Sequence, residues 1–204
     1  DLDAFPGKRG LRKSANANLE MALIADGVAA EDVYDMLETD AGVDRAFAKL
    51  DTIKDSVVWW EAGAQPPQLL ADGEVTMSTA YNGRIFNAAV GEGQPFELVW
   101  DGQIMDFALA TDTQRLADLA KWSSYGPARV ASGALVGLYQ DGKTEMAPHM
   151  PTAEANLENA LVNNFEFWAD RDTELNERFN AWLANYSRNH SGGPYRAACF
   201  FRVR

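Results

Sequence analysis

The residues whose types could do chemistry are concentrated in one stretch. Trp59-Trp60-Glu61-Ala62-Gly63-Ala64-Gln65 is followed by Leu69-Leu70-Ala71-Asp72-Gly73-Glu74-Val75 and then by Ala80-Tyr81-Asn82-Gly83-Arg84. The order reads as an aromatic strand end, a short helix closed by a Gly turn, an alternating strand and the start of another helix. It brings aromatic and polar groups to strand ends, where open α/β sheets hold their ligands. No nucleophile–base pair, metal-ligand cluster or phosphate loop accompanies them. His149 and His190 stand in Pro- and Gly-flanked loops without a local partner pattern. Glu158 and Glu166 are two acids among 30, and spacing alone does not make them converge as a glycosidase pair. The pattern is that of a binding protein rather than an enzyme, and it calls for no cofactor or metal.

Bulk properties narrow the class further. A chain of 204 residues with 47% hydrophobic and 11% aromatic content can bury a sizeable core as one domain or two small ones. No run of about 18 apolar residues is present, so no segment is expected to insert in a membrane. A net charge of −12 argues against a nucleic-acid partner, whose phosphates need Lys and Arg, and fits either a solvated acidic surface or attraction of a cationic solute. The lone Cys199 excludes an intrachain disulfide and leaves the compartment open. Neither an initiator Met nor a signal-like leader opens the chain, which is compatible with processing or with a piece of something longer.

These groups need elements to hold them. Ser14 is expected to cap a helix carrying Leu19, Ala22 and Leu23, with Gly27 just past its end. Val43, Phe47, Leu50 and Ile53 predict an amphipathic helix over 42–54, and Val57–Trp60 a strand. Pro66 and Pro67 suit the first turn of a helix ended by Gly73. Val75, Met77 and Thr79 alternate as a strand, Ile85, Phe86, Ala89 and Val90 form a helical stripe, and Phe96–Trp100 reads as another strand. Alternation of helices and strands up to Asp106 indicates an α/β sheet. Beyond it, helices are expected around Leu116, Leu119 and Ala120, around Leu157, Ala160 and Leu161 behind Thr152, and around Leu175, Phe179, Trp182 and Leu183. The last nineteen residues hold four arginines and no acid, an atypical basic tail with the look of foreign or disordered sequence.

Phe5-Pro6-Gly7-Lys8-Arg9-Gly10-Leu11-Arg12, Leu19-Glu20-Met21-Ala22-Leu23, Ala46-Phe47-Ala48-Lys49-Leu50-Asp51, the 68–77 stretch, Tyr81-Asn82-Gly83-Arg84 and Glu177–Leu183 together resemble a known family. The chain is similar to the extracellular solute-binding proteins of polyamine (spermidine/putrescine)-type ABC transporters, from about Asp3 to Ala184. The resemblance implies an α/β, type II periplasmic-binding-protein fold, in which two lobes close on a solute, with a membrane permease as partner and a bacterial periplasmic location. Residues 1–106 would form the second lobe, 107–185 a helical return segment towards the first lobe, and 186–204 the atypical tail. It also implies site residues. Asp106 stands where relatives place a cleft carboxylate for a ligand amine, and a buried aspartate there would demand a charged partner. Tyr81 stands where they present an aromatic to the ligand, with a cation–π contact worth roughly 0.5–2 kcal/mol. Trp60 is favoured over Trp59 as the strand residue facing the cleft, because neighbours on a strand point in opposite directions. Tyr125, in Tyr125-Gly126-Pro127, matches a cleft-wall loop.

Three departures from the family pattern shape the ligand expectation. Ser14 and Ala17 occupy positions that are acidic in polyamine receptors, and Arg84 sits where some relatives carry another acid. A cation beside the site repels a diamine but pairs with a carboxylate, so an amine of amino-acid type is expected beside the polyamine class, with Arg84 on the carboxylate. By the resemblance, the hinge strand and turn that relatives have after Asp106 would be absent from this chain, as would the first lobe. The helix over 172–184 is therefore expected to expose Leu175, Phe179 and Trp182, which the missing lobe would cover. A carbohydrate-binding module or sugar receptor is the rival, since six tryptophans could stack on sugar rings.

Overall fold

A computed structural model describes residues 1–106, 149, 151 and 153–190; the expected helix around Leu116, Tyr125 and most of the basic tail lie outside the described residues. Three parallel strands form the main sheet, in the order β2 (Val57–Trp60), β1 (Arg9–Arg12), β3 (Met77–Ser78). Leu11 is in register with Trp59 and Arg12 with Trp60, while Arg9 and Gly10 pair Met77 and Ser78. Parallel neighbours need crossovers. Helices α1 (Asn18–Ala25), α2 (Val33–Leu37) and α3 (Asp40–Asp51) connect β1 to β2, and α4 (Gln65–Ala71) connects β2 to β3. Helix α5 (Asn82–Phe86) follows β3 and runs on as a π turn over Asn87–Gly91. A second parallel pair joins β4 (Ile104–Met105) to β5 (Leu161–Val162), after which α6 spans Phe165–His190.

The core lies between α1, α3 and α6. Leu19, Leu23, Val33, Leu37, Val43, Ala46, Leu175 and Phe179 are fully buried, and Leu11 and Trp59 pack against them from the sheet. The apolar stripe of α3 behaves as its spacing predicts, and Thr39 caps that helix by accepting the Gly42 N–H at 3.0 Å. Gly27, at φ +85°, closes α1 in the left-handed region that glycine adopts without strain.

Four expectations need correction. Leu175 and Phe179 are not exposed: Phe179 lies 5.3 Å from the Trp59 ring and 6.4 Å from Phe47, and Trp182 packs on the same cluster. Lys54 holds that end of α6, donating to the Trp182 carbonyl at 2.7 Å with its ammonium over the indole at 3.5 Å. The apolar face of α6 thus meets helices of this chain, since a 3.6-residue stripe says that a face is buried and not by what. Ser14 does not cap α1. The cap position is Ala17, at φ 69°, while the Asn18 side chain donates back to the Arg12 and Ser14 carbonyls. Leu161 belongs to a strand, because its N–H reaches the Gln103 carbonyl at 2.9 Å and that of Asn163 reaches Met105 at 2.8 Å. Finally, Phe96–Trp100 alternates in burial as a strand would, yet it pairs with no strand among the described residues, and Val99 is 80% exposed.

Candidate ligand-binding site

At the carboxyl end of the main sheet the chain leaves β1 through Arg12-Lys13, β2 through Glu61–Gly63 and β3 through Thr79–Tyr81. These exits form one rim. Leu11 and Trp59 face the core, so their neighbours Arg12 and Trp60 lie on the opposite side of the strands, and both meet Tyr81. The Trp60 ring stands nearly edge-on to Tyr81 with centroids 5.9 Å apart, and the Arg12 guanidinium lies 5.9 Å from the centre of the same ring. Tyr81 is 48% exposed and Trp60 only 2%, so the phenol is presented outward and the indole backs it. The indole N–H of Trp60 is buried with no hydrogen-bond partner among the described residues.

Gly63 sets how closely this pair can approach the loop. A Cβ there would come within 2.8 Å of the Tyr81 ring, so only a residue without a side chain leaves the ring where it is. Lys13 and Glu61 form an exposed ion pair at 2.8 Å across the rim. The Lys13 ammonium holds the Glu61 carboxyl below its ordinary range, which leaves Glu61 engaged rather than waiting for a ligand. Arg84 is exposed on α5, one turn after Tyr81, whose carbonyl accepts the Arg84 N–H at 2.9 Å.

Asp106 follows the last residue of β4 and is exposed, so the expected burial does not arise; one of its partners is the Asn163 side-chain amide, which donates at 3.4 Å. Behind Asn163 lies a polar cluster that local spacing does not reveal. The Tyr34 hydroxyl sits 3.2 Å from both Asn163 Oδ1 and Glu20 Oε1, and it accepts the Asn164 N–H at 2.9 Å. Trp168 Nε1 donates to Glu20 Oε1 at 2.6 Å. Burial pushes the Glu20 carboxyl up to about 7, against the opposing pull of its own amide, Trp168, Tyr34 and the Ala17 amide. Asn164 caps α6 by accepting the Phe167 N–H at 3.0 Å, which fixes Asn163 and Asn164 at the end of β5. Arg12 was also hidden in the sequence; its signal is position alone, at the carboxyl end of the central strand. Among the described residues no group of three or more His, Cys, Asp or Glu side chains could hold a metal ion, and no helix is long and apolar enough to cross a membrane.

Residues 1–110 match the family of bacterial extracellular solute-binding proteins. The chain belongs to that family. It is 47% identical over 199 residues to the gamma-aminobutyric acid-binding protein of Pseudomonas aeruginosa, covering 88% of this chain and 54% of that protein. Among solved structures it resembles a GABA receptor at 32% identity and TM-score 0.69, covering 90% of this chain and 59% of the receptor. It also resembles the periplasmic binding protein MotA of A. tumefaciens, solved with glucopine, at 27% identity and TM-score 0.68, covering 90% and 61%. The fold is therefore the α/β fold of periplasmic binding proteins, and the chain spans about half the length of the curated relative it matches.

Proposed function

We propose that this chain is the principal ligand-binding lobe of an ABC importer's solute receptor in the bacterial periplasm, and that its solute is an ω-amino acid of the GABA type. The observation that carries this is the rim itself, where an exposed tyrosine is flanked by Arg12 and followed one turn later by Arg84. Two guanidinium groups disfavour a diamine and suit a carboxylate, which Arg can take bidentately. Asp106 takes the solute's ammonium, Tyr81 packs on the methylene chain with Trp60 behind it, and Arg84 takes the carboxylate, with Arg12 as its neighbour. Tyr125, argued from the sequence only, contributes to the wall. The binding proteins named for GABA among the relatives support this choice over a polyamine. A second lobe closes over the solute, expels water and strengthens both charge pairs, and a membrane permease then receives it.

Sugar stacking has less support. Trp59, Trp60, Trp168 and Trp182 are packed into the interior or against other rings, so four of the six tryptophans are already committed. A thermal-shift panel on the two-lobe receptor checks the proposal. ω-Amino acids should raise the melting temperature, and putrescine, spermidine and neutral oligosaccharides should not. A shift with sugars or diamines alone would refute it.

A further inference from the structure

We propose that Glu20 is a positioning residue for the Asp106 carboxylate, acting through a directional hydrogen-bond relay that runs Glu20–Tyr34–Asn163–Asp106. This rests on the assignment of Asp106 as the group that takes the solute's ammonium.

Glu20 is fully buried in the first turn of α1, just beyond the rim loop that leaves β1. Its Oε1 receives the Trp168 indole N–H at 2.6 Å and lies 3.2 Å from the Tyr34 hydroxyl, while Oε2 has no hydrogen-bond partner among the described residues. Tyr34 has one proton to give and two acceptors at equal distance, Glu20 Oε1 and Asn163 Oδ1, both 3.2 Å away. An ionised Glu20 takes that proton and leaves Asn163 Oδ1 facing a lone pair. A protonated Glu20 donates to the Tyr34 oxygen instead, and Tyr34 passes its own proton to Asn163 Oδ1. The second arrangement holds the Asn163 amide with Oδ1 toward Tyr34 and Nδ2 toward Asp106 Oδ1, which is the orientation observed.

The surroundings favour that state near neutrality. Burial raises the Glu20 carboxyl to about 7, and burial with the adjacent Glu20 also raises the Tyr34 hydroxyl, which therefore remains a donor. Among the described residues Tyr34 on α2 is the titratable group that faces Glu20; α6 contributes the Trp168 N–H, and Asp106 lies one residue further, beyond Asn163. The cations that α3 directs at α1 are occupied elsewhere, since Arg45 and Lys49 pair with Asp26 at 2.6 and 3.4 Å. The relay therefore joins the protonation of a buried acid to the direction of a hydrogen bond to Asp106, at the end of β4.

Two readouts separate the relay from the assignment beneath it. The first follows the Asn163 side-chain amide resonances of ¹⁵N-labelled chain between pH 5.5 and 8.5. They should shift with a midpoint near pH 7 in the wild type and stay fixed in Glu20→Gln, whose neutral amide mimics the protonated acid. Tyr34→Phe, which lacks the relay hydroxyl, should also abolish the shift. The second is calorimetric affinity of the two-lobe receptor for GABA over the same range, where neither end of the solute titrates, its carboxyl and amine having ordinary values of about 4 and 10. Wild-type affinity should fall at least fivefold as pH rises through 7, and Glu20→Gln should hold its low-pH affinity throughout. Asn163 resonances that ignore pH in the wild type overturn the relay and leave Asp106 untouched. Resonances that shift while affinity is flat and Asp106→Asn binds normally overturn the assignment of Asp106.

Discussion

Two layers meet at the main sheet, and neighbouring residues are divided between them. Leu11 and Trp59 look into a packed interior, where Phe179 and Trp182 stand edge-on to the Trp59 ring and Phe47 packs on both of them. Arg12 and Trp60, the next residue on each strand, look the other way towards Tyr81. The interior is held by contacts within this chain, including Lys54 on the Trp182 carbonyl and the Trp182 indole on Asp51 at 2.7 Å, and it also buries Asn18 Oδ1 and Glu20 Oε2 with no hydrogen-bond partner among the described residues. At the rim the large side chains are exposed or left incomplete, with Tyr81 half exposed and the Trp60 N–H unpartnered among the described residues. The interior gives up freedom for stability. The rim leaves its phenol half exposed.

Truncation should show that division most strongly. Phe179→Ala removes a fully buried ring from the α6 contact and should destabilise the chain by about 3–5 kcal/mol in denaturant unfolding. Tyr81→Ala, at the half-exposed rim, should cost less than about 1 kcal/mol by the same measurement. Similar costs at the two positions would erase the distinction.

The next effect is in pH. Glu20 titrates near 7 when folded and near 4.5 when unfolded, so between those values the native state holds the extra proton. Stability from this group is complete below the lower value and is lost as pH rises through 7, a fall of about 3 kcal/mol that Glu20→Gln should remove. Asp26, held below its ordinary range by hydrogen bonds from Arg45 and Lys49, has the opposite sign, and its contribution disappears as the solution turns acidic. Chemical denaturation across pH should therefore be most favourable to the fold in mildly acidic solution. A wild-type curve that rises from pH 5 to pH 8 would contradict the placement of Glu20.

Substitutions at the proposed solute contacts should move binding and leave folding alone. Asp106→Asn should weaken GABA binding by roughly 1.5–3 kcal/mol, the range for a hydrogen bond to a charged group, with unfolding unchanged. Arg84→Ala should be smaller, about tenfold or ~1.4 kcal/mol, and its sign depends on the solute. It should impair a ligand with a carboxylate and improve a pure diamine. Improved binding of both would remove Arg84 from the carboxylate end.

How far the sequence carries follows the same division. The interior was legible where periodicity speaks, as in the α3 stripe of Val43, Phe47 and Leu50 and the β-prone Val57–Trp60. It was misread where the partner matters, because the spacing of Leu175, Phe179 and Trp182 cannot say which surface covers them. Ser14 has the chemistry of a cap, but the turn places Ala17 there and uses Asn18 to satisfy the strand-end carbonyls. Tyr81 and Trp60 were legible as a pair of aromatics flanking strand ends. Arg12, Gly63 and the Glu20–Tyr34–Asn163 cluster were not, because their significance comes from contacts across 14 to 148 positions of chain.

On the proposed reading the solute carries an ammonium at one end and a carboxylate at the other. Side-by-side calorimetric titration of GABA and putrescine into the two-lobe receptor, at equal ionic strength and pH 6.5, tests it most directly, since the two solutes share a four-carbon chain and one amine and differ in the other terminal group. Tighter binding of GABA by at least a hundredfold is the expected result. Equal affinity, or preference for putrescine, would show that Arg12 and Arg84 do not meet a carboxylate and would overturn that reading.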